Sequence, residues 1–448
     1  MRNHKYLFPI LFVFLSGNLA NAMFAMPTYA PVERLIANTT AFVKENPENA
    51  HGYYTLGRIH YLAFVNKASQ VRATSLDSPP KIAPDWLLGD LAPLIRRQRA
   101  MKLTFQEFGY RSVSDVPKAD RPRFWNSVRQ KEKQLREKYR RGEKPNEDEL
   151  VNHAAAAVGN FKKAIELAPK NGLYHLGLAS LLEQYVEFLR EAKVDKVPEE
   201  FRSVILDKAK DIYYMAYNLS IRGDLKHKYL PVAGLHSLVG YEAAKAYIRL
   251  AQADSSIPED EQKKVSIVKK NLKKLEGLRA RVITPIVFSL ERHSSLSDLL
   301  APDLRVRFDL DGDGIIELWP WVKPTTGTLV WDPDAKGSIT SGRQLFGSVS
   351  WWLFFTDGYH ALDALDDNRD GVLSGYELKG ISVWFDRDCD GKSDPGEVLP
   401  IERLPIVSIA TKSTGKDGIS PMNKSGLTLM DGRTFPTYDW IVSRVESL

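Results

Sequence analysis

The sequence predicts a multidomain chain in which an all-α helical-repeat domain precedes an α+β domain assembled around short acidic loops. Three observations carry that reading. The chain has 448 residues, and at about 150 residues per domain a single core is too few. Helix-period apolar positions recur in several windows between residues 31 and 252, whereas Asp/Gly-rich segments interrupt short apolar runs beyond residue 300. The formal charge of +6 is also a sum of unlike parts: residues 301–448 hold 15 Lys+Arg against 23 Asp+Glu, a net of −8, which leaves +14 for residues 1–300. With 43% hydrophobic and 26% charged residues the composition is globular, which argues against a largely disordered chain or a multi-spanning membrane protein. The single cysteine, Cys389, excludes an intrachain disulfide framework and a Cys-based zinc cluster.

The elements follow in chain order. Arg2, His4 and Lys5 precede the apolar run Tyr6 to Leu15, and Ala20-Asn21-Ala22 then supplies the small-x-small pattern that signal peptidase reads. This run, broken by Pro9, is far shorter than the roughly 20 residues a bilayer span needs. Residues 1–22 therefore read as a signal peptide cleaved after Ala22, and no cysteine stands at the junction to carry a lipid anchor. No later stretch is long and apolar enough to span a membrane. The mature chain is expected outside the cytoplasm, secreted, periplasmic or at the cell surface, with no stable membrane span after cleavage.

Residues 31–285 read as the helical repeat domain, with an insertion over 65–150. Ala157, Phe161, Ala164 and Pro169 are spaced 4, 3 and 5 apart, with small residues where helices approach closely, and Leu178-Ala179 with Leu182 opens the next helix. An earlier window has Pro47 closing one helix and Tyr53, Leu56, Gly57 and His60 on the next; a later one has Ala209, Tyr213 and Ala216, with Ile221 where a proline would complete the pattern. These windows resemble degenerate tetratricopeptide repeats, which implies stacked helix pairs offering a surface to a protein partner. Generic helical hairpins are the competing reading. The insertion carries a charged run, Arg129 to Lys144, just after Trp125. Glu132, Glu137 and Glu143 interleave with its bases at helical spacing, as on a solvated helix with i,i+4 pairs, so a nucleic-acid partner is not expected. A second charged helix, Pro258 to Val282, closes the domain with an acidic first turn at Glu259 and Asp260.

The acidic domain carries the chemistry. Asp366 to Glu377 fits the twelve-residue EF-hand loop at each diagnostic position. Calcium takes six to eight oxygens; Asp366, Asn368 and Asp370 supply side-chain oxygens from positions 1, 3 and 5, Val372 a backbone carbonyl from position 7, Ser374 a direct or water-mediated contact from position 9, and Glu377 a bidentate carboxylate from position 12. Gly371 permits the sharp turn, and Leu373 points inward. A second loop, Asp386 to Glu397, offers Asp386, Asp388, Asp390, Asp394 and Glu397, with Lys392 at the carbonyl position. Upstream, Asp309, Asp311, Asp313 and Glu317 repeat the first nine positions, but Pro320 stands at position 12. A fourth segment, Asp332 to Arg343, keeps the frame and places Lys336 and Arg343 where carboxylates belong, so it is expected to be ion-free, its bases pairing with Asp332 and Asp334. Only eight residues, Leu378 to Phe385, separate the two complete loops. A switching EF-hand pair needs two helices there, so calcium is expected to lock this domain instead of opening it.

Phe308 to Gly314, Leu329 to Asp332, Gln344 to Gly347, Asp357-Gly358-Tyr359, Leu365-Asp366 and Val383 to Asp386 together resemble the calcium-binding domain near the C-termini of secreted bacterial repeat-in-toxin and adhesin-like proteins, over about residues 300–410. That resemblance implies calcium binding outside the cell and no enzymatic reaction. Seven of the nine tryptophans fall beyond residue 300. Core filling between short loops is the expected role, and a sugar-binding platform on a glycan- or matrix-binding adhesin is the competing one. Residues 411–448 read as a β-rich C-terminal extension, with Ile406 to Ile409 and Leu427 to Leu429 alternating around Gly/Asp turns. No H-E-x-x-H, G-x-S-x-G or phosphate loop is present, and no enzyme is expected. The resulting expectation is a secreted calcium-binding protein whose helical domain binds a protein partner.

Overall fold

The computed structural model describes residues 30–65, 104, 107–110, 116–117, 119–140, 149–191, 199–224, 233–253, 257–276, 282–293 and 295–443. Residues 1–22, expected from the sequence to be a signal peptide, and most of 65–150, expected to be an insertion, lie outside these residues. The chain is helical before residue 277 and an antiparallel β structure with short helical turns after residue 281.

The elements that lead among the described residues are the helices α1 Val32–Glu45, α2 Ala50–Val65, α3 Arg121–Arg140, α4 Glu149–Leu167, α5 Gly172–Glu191, α6 Glu199–Asp224, α7 Ala233–Ala251 and α8 Glu259–Glu276. In α1 the inward stripe is Leu35, Thr39 and Val43, a strict four-residue spacing on one face. By contrast α2 is buried nearly all round, from Tyr54 to Phe64, because it is wedged between other helices and the β region. Small residues set the approaches. A Cβ on Gly57 of α2 or on Gly177 of α5 would meet the Phe161 ring of α4 at 2.9 Å, so both helices press on one aromatic. The pair α2 and α4 thus closes across the insertion. On α6, Tyr213 donates to Glu183 of α5 at 2.9 Å, and on α8 Asn271 donates to Tyr217 of α6 at 2.9 Å. The acidic first turn of α8 is Glu259, Asp260 and Glu261, beside the positive end of the helix dipole.

The strands are β1 Val282–Ile283, β2 Ile286–Phe288, β3 Leu300–Phe308, β4 Glu317–Val322, β5 Gly327–Trp331, β6 Val372–Ser374, β7 Ile381–Trp384, β8 Val398–Pro400, β9 Ile406–Ala410, β10 Gly415–Asp417, β11 Ser420–Leu429, β12 Thr434–Asp439 and β13 Val442–Ser443, with one short helix, α9 Gly358–Asp363. Nine of them make one sheet in the order β6-β9-β11-β12-β2-β5-β7-β8, with β10 added on β11. Strand β2 therefore sits between β12 and β5, and segments from both 300–410 and 411–448 share this sheet. Strands β3 and β4 form a separate hairpin, and β1 pairs with β13. Leu427 opposite Ile409 and Leu329 opposite Val383 are all buried, as alternation requires.

One apolar core runs through both regions, and Val116, Phe124 and Val128 form a small cluster apart from it. All seven tryptophans beyond residue 300 are buried in it, so none forms a surface platform. Neighbours Trp351 and Trp352 both point inward because each sits in the left-handed region, at φ 49° and 60°, and Phe354 follows at 58°. Bulky side chains rarely tolerate that conformation. Here it turns Trp351 toward Trp331, at 5.7 Å between ring centroids, and Trp352 toward Phe354, at 4.9 Å.

Candidate metal centre

Each acidic loop grows from the end of a regular element. The Asp309 loop is the turn of the β3–β4 hairpin, the Asp332 loop leaves β5, the Asp366 loop leaves α9, and the Asp386 loop leaves β7. All four repeat one backbone pattern. Position 4 is left-handed in each, at Gly312 (φ 74°), Ala335 (50°), Arg369 (63°) and Cys389 (60°), and so is the glycine at position 6, at Gly314 (88°), Gly337 (68°), Gly371 (87°) and Gly391 (77°). The physical cause is shared. The first aspartate accepts the N–H of residue 6 in every loop, at 3.0 Å for Asp309, 2.9 Å for Asp332, 2.8 Å for Asp366 and 3.0 Å for Asp386. Only glycine takes the second of these turns at little cost.

In the two complete loops the position-12 glutamate closes the ring. Glu377 accepts the N–H of Asp367 at 2.8 Å and of Asn368 at 3.2 Å on one oxygen, and that of Ser374 at 3.0 Å on the other. Glu397 accepts Arg387 N–H at 2.6 Å and Asp394 N–H at 3.0 Å in the same way. Asp366, Glu377, Asp386 and Glu397 are 2–6% exposed. Burial lifts the Asp366 carboxyl above its ordinary range. Burial, with the Glu397 charge adding to it, pushes Asp386 up to about 6, although the indole N–H of Trp321 donates to its carboxylate at 2.6 Å and pulls the other way. Among the described residues none of these four carboxylates forms an ion pair with lysine or arginine. A cation between them would remove the mutual repulsion.

Two triads converge closely enough to hold a metal ion. Asp309, Asp311 and Asp313 bring carboxylate oxygens within 4.8 Å of one another, and so do Asp386, Asp388 and Asp390. Glu317 stands outside the first triad, and Asp394 and Glu397 stand outside the second. In the Asp366 loop, Asn368 replaces the middle carboxylate and is tied to Asp370, donating at 3.0 Å to its carboxylate and accepting its N–H at 2.9 Å. Val372 begins β6 and Ser374 ends it, with Leu373 fully buried between them. Lys392 pairs with Asp390 at 2.6 Å and shields that triad on its solvent side.

The fourth loop is filled by its own base on one side: Lys336 pairs with Asp334 at 2.8 Å. Arg343 does something else. It donates to the Gly312 carbonyl at 2.6 Å and lies 4.1 Å over the Trp352 ring, beside the Asp309 triad. Residues far away in sequence also reach the loops. From α1, Arg34 donates to Asp367 at 2.8 Å, to the Glu377 carbonyl at 3.1 Å and to the Leu365 carbonyl. Asn38 donates to Asp367 at 2.8 Å and to the Ala364 carbonyl at 3.1 Å, and Arg369 pairs with Glu45. No local spacing signals these partners, which lie more than 300 residues away.

Comparison with known families places a boundary around this region. A family model described as an SPM domain matches residues 294–442. That match takes in β3 to β12 and all four loops, about a third of the chain. No curated protein matches the sequence.

Proposed function

We propose that the protein is a secreted, non-catalytic calcium-binding protein in which the ion rigidifies an EF-hand-like C-terminal domain and a tetratricopeptide-like helical domain engages a protein partner. One observation carries the calcium reading. Two successive loops each bury the carboxylates of positions 1 and 12 around a common turn, and backbone N–H groups hold them where basic side chains do not. A hard cation with six to eight oxygen ligands fits such a set better than a transition metal, which prefers nitrogen or sulfur. The Asp366 and Asp386 loops are the principal sites, with the Asp309 loop third and the Asp332 loop ion-free.

The path between the loops supports locking over switching. Glu377 leads through one short 3₁₀ turn into strand β7 and so to Asp386, and no helix pair lies there to swing open. Because α1 grips the Asp366 loop through Arg34 and Asn38, an ion in that loop also fixes the seat of the helical domain. The glycine approaches on either side of Phe161 favour the repeat-like reading of the helix pairs. The N-terminal leader pattern supports an extracytoplasmic compartment, where millimolar calcium is present.

Calorimetric titration of calcium into the chelator-treated mature chain tests this directly. Two or three sites are expected, in the extracellular-module range of about 0.1 to 1 mM. Glu377→Gln and Glu397→Gln are each expected to remove one site. Absence of binding up to about 10 mM would sink the reading.

A further inference from the structure

Metal-ligating side chains also meet away from the acidic loops. His60, near the end of α2, and His153, near the start of α4, bring their Nδ1 atoms to 2.9 Å from one another although 93 residues separate them in sequence. The rings are tilted by 43°, with centroids 5.2 Å apart. Both are half-buried, so each keeps an edge in contact with solvent. The backbones beneath them are fixed: Gly57, one turn before His60, lies so close to Phe161 of α4 that a Cβ there would meet the ring at 2.9 Å. Helices packed this tightly hold the two rings face to face.

In the metal-free protein one Nδ1 donates and the other accepts. Burial, with the His153 ring adding to it, holds His60 down at about 4, so this imidazole is neutral, the form that ligates a metal. Moving the shared proton to Nε2 of the ring that carries it leaves two Nδ1 lone pairs facing one gap, with no change in net charge. Two metal–nitrogen bonds of about 2.0–2.1 Å that meet at a right angle span about 2.9 Å, the separation found here. A right angle between imidazoles belongs to the tetragonal geometry of copper(II) and nickel(II), and copper(II) is the tighter binder of the two. The donor chemistry also sets this pair apart from the acidic triads at Asp309 and Asp386, which offer oxygen alone.

We propose that His60 and His153 hold a divalent transition-metal ion of the copper(II) class through their Nδ1 atoms, with water completing the coordination, and that the ion staples α2 to α4. Since α2 ends at Val65 and α4 begins at Glu149, the staple joins the stretches on either side of residues 66–148. This goes beyond the calcium reading and stands without it.

The test titrates copper(II) into residues 23–448, prepared without a polyhistidine tag and with calcium in excess to compete for the acidic loops. Calorimetry reads the affinity, and electron paramagnetic resonance counts the nitrogen donors. One tetragonal copper with two nitrogen ligands is expected, and its binding should raise the melting temperature. His60→Gln and His153→Gln should each weaken that site at least about 10–100-fold, the range lost even when only the outer partner of a ligand is removed. The copper-dependent rise in melting temperature should vanish in both, whereas the metal-free melt should move little, because only one hydrogen bond between half-buried rings is lost. A spectrum showing oxygen donors alone in the unsubstituted protein overturns the proposal without recourse to any variant. So does a copper affinity that stays within about twofold in either variant, because the ion is then held elsewhere.

Discussion

Replacing Glu377 with glutamine separates a calcium ligand from a mere loop clasp. In the calcium-free protein the amide keeps one oxygen and turns an NH₂ group toward a backbone N–H that the carboxylate had accepted, either at Asp367 and Asn368 or at Ser374. Losing a charge-assisted bond in a site only 6% exposed costs about 1.5–3 kcal/mol. Relief of repulsion with the buried Asp366 offsets part of this, leaving about 2 kcal/mol. With calcium the loss should grow. A site with a dissociation constant of about 0.1 to 1 mM contributes about 1.4–2.7 kcal/mol at about 10 mM ion, and glutamine forfeits most of it. Urea unfolding of residues 23–448, followed by the fluorescence of the buried tryptophans, reads both numbers. The expected loss is about 2 kcal/mol in chelator and about 3.5–4.5 kcal/mol in calcium. Equal losses in the two buffers would refute the ligand role and leave Glu377 a structural clasp.

Three further outcomes are expected. Arg34→Ala should destabilise the chain by about 2 kcal/mol, since two loop carbonyls and Asp367 lose one shared donor; a double-mutant cycle with Asp367→Ala should return a coupling of no more than about 1 kcal/mol, because that carboxylate is partly exposed, and zero coupling would break the assigned contact. Burial holds His51 at about 4, so below about 6.5 the unfolded chain takes up a proton that the folded chain refuses, and stability falls toward acid by up to about 1.4 kcal/mol per pH unit. Measured in saturating calcium between pH 7 and 5, His51→Gln should flatten that slope; an unchanged slope assigns it to other groups. A Cβ on Gly342 would run into the Leu310 carbonyl, so Gly342→Ala should cost at least about 3 kcal/mol, read from the calcium-saturated melt, and a neutral effect would contradict the packing of the fourth loop on the first.

How much of this the sequence disclosed depended on how local the cause was. The acidic loops were legible because oxygen donors and one glycine recur at fixed offsets within twelve residues, and the left-handed turns at positions 4 and 6 follow from them. The acidic first turn of helix α8 and the strands around Ile409 and Leu427 were legible for the same reason, although Val282, expected to end that helix, lies in β1. Long-range partners were not. Nothing near Gly57 announces Phe161 across the insertion, and nothing in α1 announces that Arg34 will hold a loop at residue 367. Arg343 was expected to neutralise its own loop; it stands instead against Gly312 and Trp352, because its segment packs on the neighbouring loop. Trp351 and Trp352 broke the alternation rule through backbone strain, which side-chain patterning does not encode.

The place of β2 in the sheet has a temporal consequence. Residues 286–288 are flanked on one side by 437–439 and on the other by 327–328. The ribosome must therefore deliver almost the whole polypeptide before this strand has both neighbours, and closing so long a stretch of chain makes for slow assembly. Any product that stops short of β12 leaves β2 with an open, buried-type edge, a template for joining another chain. Premature termination near the C-terminus should thus yield aggregates in place of a shortened but soluble protein.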